Sequence, residues 1–525
     1  MGGHLQNFEG KPICESLSEN LYMIKKIFLR DAILRIREFH CGGDINTDCA
    51  AVYFDGMVDV SVLNDSVIRP LIDVGLFELS GGKGAPLDTI LHKVLYSNEI
   101  KKTADIAELL RGVMYGDTVL LIDGASEALV INTKGWARRS ISEPEDERIL
   151  EGPREGFSEA SMTNLSLLRR KLLTPDLCIE FMTVGRRTDT KVYICYLGSL
   201  APKRLVKEIK RRINSIDIDG IFDTNYIAEL SSGRKYSLFR AAGSTERPDI
   251  VAARLLEGRI AIITDGSPMV LTLPYLFSEN FQSDEDYYQN FLTACVGRAL
   301  RYICFFLSIS LPGLYIALSI FARRLLPTAF LLTLSEARAG VPFSSVTECI
   351  LLVIIFEILK EAGVRTQQSL GTALSIVGGL VVGQAAVEAK IVSAPMLIVV
   401  ALSGIAGLMV PRLRAAVFYL RLFLIISGSL LGIYGFALGI GTILVMILCQ
   451  KTVGFDATPA LSGVSLQNYK DTVIRAPMWN MRTRPRVCAN RTRLRYVKRN
   501  EQTVERFDQE IQNGEKKYDT RSKNN

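Results

Sequence analysis

Histidine is scarce in this 525-residue sequence, which holds only three, and no two of its ten cysteines form a CxxC pair. The histidines, His4, His40 and His92, are too scattered to build a His-rich metal site. Several cysteines, such as Cys304 and Cys349, lie in apolar runs. Because reduced cysteine packs as a small apolar residue, this pattern favours core cysteines over disulfides or metal ligands.

Enzyme signatures are missing too, since the sequence has no GxSxG, HExxH or GxGxxG motif. The segment GGKGAP, residues 81–86, resembles part of a phosphate-binding loop, but Gly84 stands where that loop needs Ser or Thr. The acidic run at residues 284–286 is typical of the start of a helix rather than of a catalytic pair. We therefore expect no catalysis, no bound cofactor and no metal site.

The first 20 residues have no basic start followed by an apolar core, so no secretory signal is expected. A myristoylation signal would need Ser or Thr at the sixth position, which is Gln6. The N-terminal half is therefore expected to stay in the cytoplasm.

Charge and apolarity are segregated along the chain, which the net charge of +7 conceals. Up to about residue 300 the sequence has charges throughout, residues 302–450 are mostly apolar, and the sequence after Lys451 is polar and basic. This predicts an α/β two-lobed soluble N-terminal domain, an all-α multi-spanning membrane domain and a basic polar C-terminal tail. The expected boundaries are an N-terminal extension (1–30), lobe 1 (31–150), lobe 2 with a juxtamembrane segment (151–298), the membrane domain (299–451) and the tail (452–525).

Three apolar runs in the soluble half end in Asp-Gly, at residues 50–56, 118–124 and 261–266. Asp-Gly tolerates the positive φ of tight turns, so each run predicts a strand entering a turn, and a return strand follows the second and third runs. Residues 202–214 predict a helix with an apolar inner face formed by Leu205, Val206, Ile209 and Ile213. Its basic outer face favours a solvated surface over a lipid-binding one.

Crossing a bilayer takes a helix of about 20 apolar residues. Residues 302–322, 366–387 and 391–411 are candidate spans. The run 415–450 is too long for one untilted helix and contains several glycines, so it predicts two spans with Arg421 inside the first. The positive-inside rule places the basic tail in the cytoplasm beside the N-terminal half, which requires an even number of crossings. Six are favoured, and four remain possible.

The segment 346–365 is ambiguous because glutamates interrupt it. It fits either a span enclosed by protein or a helix lying at the membrane surface. Charges within a membrane usually face a bundle interior or a water path, so Glu348, Glu357 and Arg421 are candidate coupling or membrane-embedded charges. Nine residues separate the two glutamates, which puts them on opposite faces of a regular helix.

The span 366–387 has two distinct faces. Small residues recur on one of them and favour close helix packing: Gly371, Ser375, Gly379 and Gly383. The other face is aliphatic with an amide and an acid, namely Val377, Val381, Gln384 and Glu388. That face fits a water-filled pore with a hydrophobic constriction, and equally a Gln384 that bonds a neighbouring helix.

Eight long motifs carry a resemblance to a known family. They are GPREGF (152–157), LLRRKL (167–172) after Asn164, DGSPMVLTLPYLF (265–277), FQSDEDYY (281–288), GVPFSSVTE (340–348), FEILKEAGVR (356–365), SIVGGLVVGQAAV (375–387) and KDTVIRAPMWNMRTRP (470–485). From about Asn20 to Pro485 the chain resembles the GerA family, the A subunits of bacterial spore germinant receptors and their paralogues.

The resemblance implies a protein of the spore inner membrane that works with a transporter-like B subunit and a lipoprotein C subunit. No nucleic-acid partner is expected. In family models the A subunit is a homo-oligomeric cation channel that opens when a nutrient binds, chiefly through the B subunit, while some paralogues amplify germination. We expect a channel subunit. A membrane signalling scaffold and a secondary transporter stay open as alternatives.

The segment 275–291 lies between the last predicted hairpin of the soluble half and the first predicted span. From this position and from the resemblance, we expect it to couple the soluble domain to the first membrane helix. Its aromatic side chains suit the lipid headgroup region. They are Tyr275, Phe277, Phe281, Tyr287, Tyr288 and Phe291.

Overall fold

Two five-stranded antiparallel sheets build the soluble half of the chain in the computed structural model. The structure describes residues 8–41, 47–72, 87, 91, 99–135, 147, 151–232, 237–365, 383–458, 471–472, 474–481 and 484.

Lobe 1 carries the first sheet, whose strand order is β1-β2-β4-β5-β3. Its elements in chain order are α1 (Leu17–Ile27), β1 (Leu34–Cys41), β2 (Thr47–Phe54), α2 (Val60–Leu63), α3 (Arg69–Ile72), β3 (Ile100–Thr103), α4 (Ile106–Tyr115), β4 (Thr118–Ile122) and β5 (Ala128–Ile131). Helix α4 has sequence-encoded ends, because Asp105 accepts from Ala107 N at its start and Gly116 ends it in the left-handed conformation.

Lobe 2 carries the second sheet, whose strand order is β6-β7-β9-β10-β8. Its elements are α5 (Ser161–Lys171), β6 (Leu177–Val184), β7 (Thr190–Leu197), α6 (Lys203–Asn214), α7 (Thr224–Ser231), β8 (Gly243–Thr245), α8 (Pro248–Leu256), β9 (Ile260–Thr264) and β10 (Val270–Leu273). The predicted inner face of α6 is confirmed, since all four of its apolar residues are buried. The Asp-Gly turns are confirmed as well, with φ of 77° at Gly56, 82° at Gly124 and 85° at Gly266.

The two lobes repeat one topology: a helix, a hairpin, helical turns, an edge strand, a helix and a second hairpin. The repeat extends to single hydrogen bonds. Leu17 N at the start of α1 donates to Asp123 Oδ1 over 2.9 Å, and Ser161 N at the start of α5 donates to Asp265 Oδ1 over 3.2 Å. In both lobes an asparagine also exchanges two bonds with the backbone six residues earlier, Asn20 with Cys14 and Asn164 with Ser158. The soluble half is thus an internal duplication.

The lobes share a hydrophobic core, and α1, expected in an N-terminal extension, packs into it through Leu17 and Leu21. Arg169 of α5 is fully buried between the lobes, where it forms an ion pair with Asp31 and lies 4.4 Å from the Phe54 ring. Removing one partner of a buried pair of this kind costs about 3–5 kcal/mol, because the other charge is left buried and unpaired.

One expectation about cysteine is wrong. Cys41 and Cys49 form a disulfide across the β1–β2 hairpin, with their Cα atoms 6.3 Å apart. The hairpin register explains it, because Cys41 pairs with Thr47 and Cys49 lies two residues further along the same strand. The spacing of eight residues carries no CxxC signal, and the hairpin that brings the thiols together was not recognised in the sequence.

The second half of the chain is helical. Its helices are α9 (Phe291–Phe321), α10 (Thr328–Ala337), α11 (Ser345–Arg365), α12 (Ala394–Leu408) and α13 (Arg414–Leu448), followed by strands β11 (Lys451–Thr452) and β12 (Phe455–Asp456). Two helical stretches of the described residues, Phe291–Phe321 and Pro411–Leu448, are long and apolar enough to cross a membrane. Helix α9 begins eleven residues before the predicted span, and α12 has only 15 residues. Residues 366–382, most of another predicted span, lie outside the described part of the chain.

Helix α13 folds back on itself at Gly432, whose φ of 61° and ψ of −138° are not helical. A Cβ at Gly435 would lie 2.2 Å from Ser427 O, and one at Gly439 would lie 2.8 Å from Leu424 Cδ2. In a straight helix these pairs would be about 12 and 22 Å apart along the axis. The predicted division of this run at its glycines is therefore found at Gly432.

Candidate functional site

The hairpin β9–β10 leads straight into a buried charge cluster where the soluble domain meets the apolar helices. Two turns of 3-10 helix follow β10, and the second (Asp284–Tyr287) carries Asp286 against the first turns of α9. Asp286 pairs with Arg298 at 3.1 Å and with Arg301 at 2.6 Å. Since Arg298 is wholly buried and Asp286 nearly so, the charges neutralise each other inside the protein. This pairing fixes the start of α9 to the hairpin.

A segment from the far end of the chain completes this contact. Asp471 accepts from Arg298 at 2.8 Å and from the Tyr287 hydroxyl at 2.6 Å. Arg475 donates to the Gln289 carbonyl at 2.9 Å. Part of the predicted basic tail therefore belongs to the junction.

Glu279, on the turn before Asp286, forms a second centre of charge. Its carboxylate pairs with Arg259 at 2.5 Å and with Arg254 at 3.2 Å, and all three side chains are buried. It also accepts from Leu276 N at 2.7 Å, which closes the turn. The hairpin, helix α8 and the juxtamembrane turn are locked together here.

Arg412 makes a corresponding contact from the apolar helices. It lies in the short turn Pro411–Leu413 between α12 and α13 and donates to the Glu279 carbonyl at 3.1 Å. Its second terminal nitrogen lies 3.4 Å from Glu147 and 3.6 Å from Asp284. Glu147 belongs to the segment that joins the two lobes, so this arginine ties the lobe linker to the turn between two apolar helices. We call Glu279, Asp286, Arg298, Arg301, Arg412 and Asp471 the junction cluster.

The aromatic residues of this segment do not all lie where the sequence placed them. Expected at headgroup depth, Tyr275 and Phe281 are instead buried in protein. Phe281 stacks on Tyr302 of α9 with ring centroids 4.0 Å apart and meets Phe305 edge-on at 5.4 Å. Apolar packing against α9 outweighs the interfacial preference here, because the hairpin presses the segment onto the helix.

The chain returns to the same place after α13. Gln450 donates to the Arg240 carbonyl at 3.3 Å, and the Thr452 hydroxyl donates to the Tyr275 carbonyl at 3.0 Å. Both ends of the α13 hairpin therefore contact the soluble domain.

The ionisation of the cluster follows from its geometry. Burial opposes the charge of Glu279, but Arg259 and Arg254 outweigh it and hold the pKa of Glu279 below its ordinary value. Burial likewise opposes the charge of Asp286, and the hydrogen bond and charge of Arg301 keep the pKa of Asp286 low. A lowered folded-state pKa gives stability that is present at neutral pH and lost as the pH falls through it.

The structure brings the predicted membrane charges to different neighbours. Arg421 is buried between α9, α12 and α13, and donates to the Ser308 carbonyl at 2.9 Å and the Ser403 carbonyl at 3.1 Å. Glu348 is fully buried and accepts from Ser393, the residue that precedes α12, through N and Oγ at 2.5 Å. It acts as a cap for that helix.

Glu357 lies elsewhere. It pairs with Lys360 at 3.1 Å and lies 3.9 Å from Arg414, near the junction cluster. Glu348 and Glu357 of α11 thus lie in different surroundings.

Of the predicted pore stripe and packing ridge, the structure describes three residues. Gln384 and Glu388 are exposed and joined by a 2.9 Å hydrogen bond. A Cβ at Gly383 would lie 3.6 Å from Leu397 of α12, so this glycine faces a neighbouring helix. The remaining five residues lie outside the described part of the chain: Gly371, Ser375, Val377, Gly379 and Val381.

The junction cluster joins the N-terminal domain to the apolar helices through buried ion pairs. Among the described residues, no group of three or more His, Cys, Asp or Glu could hold a metal ion. Arg412 and Asp471 were missed by sequence reasoning because their partners lie far away along the chain. One available signal was an Asp and an Arg inside the motif at 470–485.

Comparison with known proteins agrees with the resemblance. Residues 22–487 match the family described as Bacillus/Clostridium GerA spore germination protein. The chain is 37% identical over 488 residues to Spore germination protein KA of Bacillus subtilis (strain 168), covering 93% of this chain and 89% of that protein. It is 34% identical over 476 residues to Spore germination protein B1 of the same organism, covering 90% and 97%. Among solved structures, the N-terminal domain of the A subunit of the Bacillus megaterium spore germinant receptor GerK3 matches at 29% identity with a TM-score of 0.38, covering 51% of this chain and 98% of that one.

Proposed function

Because the chain belongs to the GerA family of spore germination proteins, we propose that it is the A subunit of a spore germinant receptor in the spore inner membrane, working with B and C subunits. The observation that carries the proposal is the family match over residues 22–487. Spores that lack the chain should sporulate normally and fail to germinate on at least one nutrient. Normal germination across a broad nutrient panel would leave only a redundant or amplifying role.

Six membrane crossings with both ends in the cytoplasm fit the contacts best. Helix α9 leaves the junction cluster, and α11 returns beside it, since its Glu361 lies 3.0 Å from Arg414, two residues after Arg412. Helix α12 begins beside Glu348, at the other end of α11, and leads back to Arg412. Helix α13 then leaves and returns. The remaining crossing in this arrangement is the span 366–387 that the sequence predicts.

We further propose that several copies form a cation channel gated through the junction cluster. Gln384 and Glu388 are exposed on the single chain, and the sequence puts Val377 and Val381 on the same stripe. A central pore lined by this stripe would use the valines as a dry constriction. Displacement of the soluble domain would reach that constriction through α9 and Arg412.

The channel is tested on the purified full chain in liposomes, with its oligomeric state measured in parallel. A ring of identical subunits whose cation flux rises in Val381→Ser supports the proposal. A monomer without flux in either form contradicts it and favours a signalling scaffold. Saturable substrate uptake would favour a transporter.

A further inference from the structure

A cavity of about 560 Å³ lies where the soluble domain meets the first turns of α13. Leu238 and Arg240 of the soluble domain form one side, and Glu357 and Glu361 of α11 form another. The floor is the chain from Pro411 to Tyr419. Among the described residues, neither Gln384 and Glu388 nor the acids of the junction cluster line this cavity.

The charged lining of the cavity has an excess of cations. Arg240, Arg412 and Arg414 face two carboxylates, those of Glu357 and Glu361. Arg414 already pairs with Glu361 at 3.0 Å, and Arg412 is engaged by the soluble domain. Within the described part of the chain Arg240 has no ion pair, although its backbone is fixed by the bond from Gln450. An unneutralised guanidinium on a fixed backbone suits an anionic oxygen group.

The other lining is apolar and continues along a helix that is proposed to cross the membrane. Leu238 and Tyr419 are exposed in the cavity wall, and Phe423 and Ile426 are exposed further along α13. A tyrosine near the end of a membrane-crossing helix, as Tyr419 is in α13, is typical of the lipid headgroup region. A molecule with an anionic head and hydrocarbon chains would place its head among the arginines and its chains along this surface.

We propose that this cavity binds the phosphate headgroup of an anionic phospholipid from the cytoplasmic leaflet. The phosphate accepts from Arg240, with Arg412 and Arg414 completing a basic rim, and the acyl chains follow Tyr419 and Phe423. Such a lipid fills the gap between the soluble domain and α13 beside the junction cluster. The proposal rests on the membrane placement given above.

The test uses the full chain in nanodiscs of phosphatidylcholine alone or with phosphatidylglycerol at one part in four. After mild delipidation, phosphatidylglycerol retained per chain is measured by mass spectrometry. Arg240→Gln should weaken retention about five- to tenfold, because one basic contact near the membrane surface is lost. Arg240→Lys should keep most of the retention. Arg204→Gln, on the exposed face of α6, is the matched control and should retain lipid as the wild type does.

Equal retention by wild type and Arg240→Gln would overturn the proposal, as would equal loss in Arg204→Gln. Inorganic phosphate is compared with phosphatidylglycerol at equal phosphate concentration. If both raise the unfolding temperature equally, the cavity binds a free anion and the lipid proposal is wrong. Membrane placement is checked separately by alkaline carbonate extraction. If carbonate releases the chain from the membrane, the proposed membrane crossing is refuted. If the chain stays in the membrane but shows no preference for phosphatidylglycerol, only the proposed lipid site is refuted.

Discussion

Asp286 is the residue of the junction cluster whose charge can be removed with the smallest change in side-chain shape. Asp286→Asn keeps the side-chain size and removes the charge shared by Arg298 and Arg301. Removing one partner of a buried ion pair costs about 3–5 kcal/mol. Arg298 keeps Asp471 at 2.8 Å, and Arg301 keeps the Phe281 carbonyl at 2.6 Å. We therefore expect the lower end, about 3 kcal/mol.

The assay is thermal unfolding of the purified full chain in detergent, followed by circular dichroism. At an unfolding entropy of about 2.1 cal/mol/K per residue, a chain of 525 residues that unfolds as one unit loses roughly 1 °C per kcal/mol, so the midpoint should fall by about 3 °C. The control is Asp189→Asn, at an exposed hairpin tip where φ is 45° and Asn is tolerated, and it should change stability by less than about 0.5 kcal/mol. Combining Asp286→Asn with Arg301→Gln should cost less than the sum of the two single changes. An unfolding midpoint of Asp286→Asn equal to that of the wild type would refute the assignment of a coupled buried pair. So would a double variant whose loss of stability equals the sum of the losses in Asp286→Asn and Arg301→Gln.

The remaining predictions concern acid stability, a turn and the constriction. Because the folded-state pKa of Glu279 is lowered, its contribution to stability should hold near neutral pH and fade below about pH 4.5. Glu279→Gln should lower the free energy of unfolding at pH 7 and make it depend less on pH below about pH 4.5. Gly266→Val should cost about 1–3 kcal/mol of local strain at φ 85°, whereas Gly266→Asn should cost less, and equal unfolding midpoints for the two would contradict this. Val377→Ala and Val381→Ser should leak ions and cause nutrient-free germination, while Gly379→Leu should abolish assembly. A leaky Gly379→Leu beside two silent valine variants would mean that the helix faces the other way.

Local signals in the sequence predicted the local structure well. All three Asp-Gly turns have the expected positive φ at glycine, and two of them close the hairpins β4–β5 and β9–β10. The apolar period of residues 202–214 gave the buried face of α6. The duplication of the lobes was not predicted, because what the lobes share is a topology and a few capping bonds rather than a readable sequence repeat. The junction cluster was out of reach because Arg298 and Asp471 are 173 residues apart, and periodicity carries no information over that distance. The headgroup role assigned to Tyr275 and Phe281 failed for a related reason: an amphipathic ring fits a membrane surface and a protein interior alike.

The junction cluster also has an order of assembly in time. Arg298 is synthesised 173 residues before Asp471, the acid from the chain's end that it binds. At about 5–20 residues per second, translation needs roughly 10–35 s to supply that partner. During this interval the apolar helices from α9 to α13, which we propose to cross the membrane, are made while Arg298 of α9 still lacks one of its two acids. The cluster therefore closes only after residue 471 has been made, and a product truncated before that residue would lack the contacts of Asp471 with Arg298 and Tyr287.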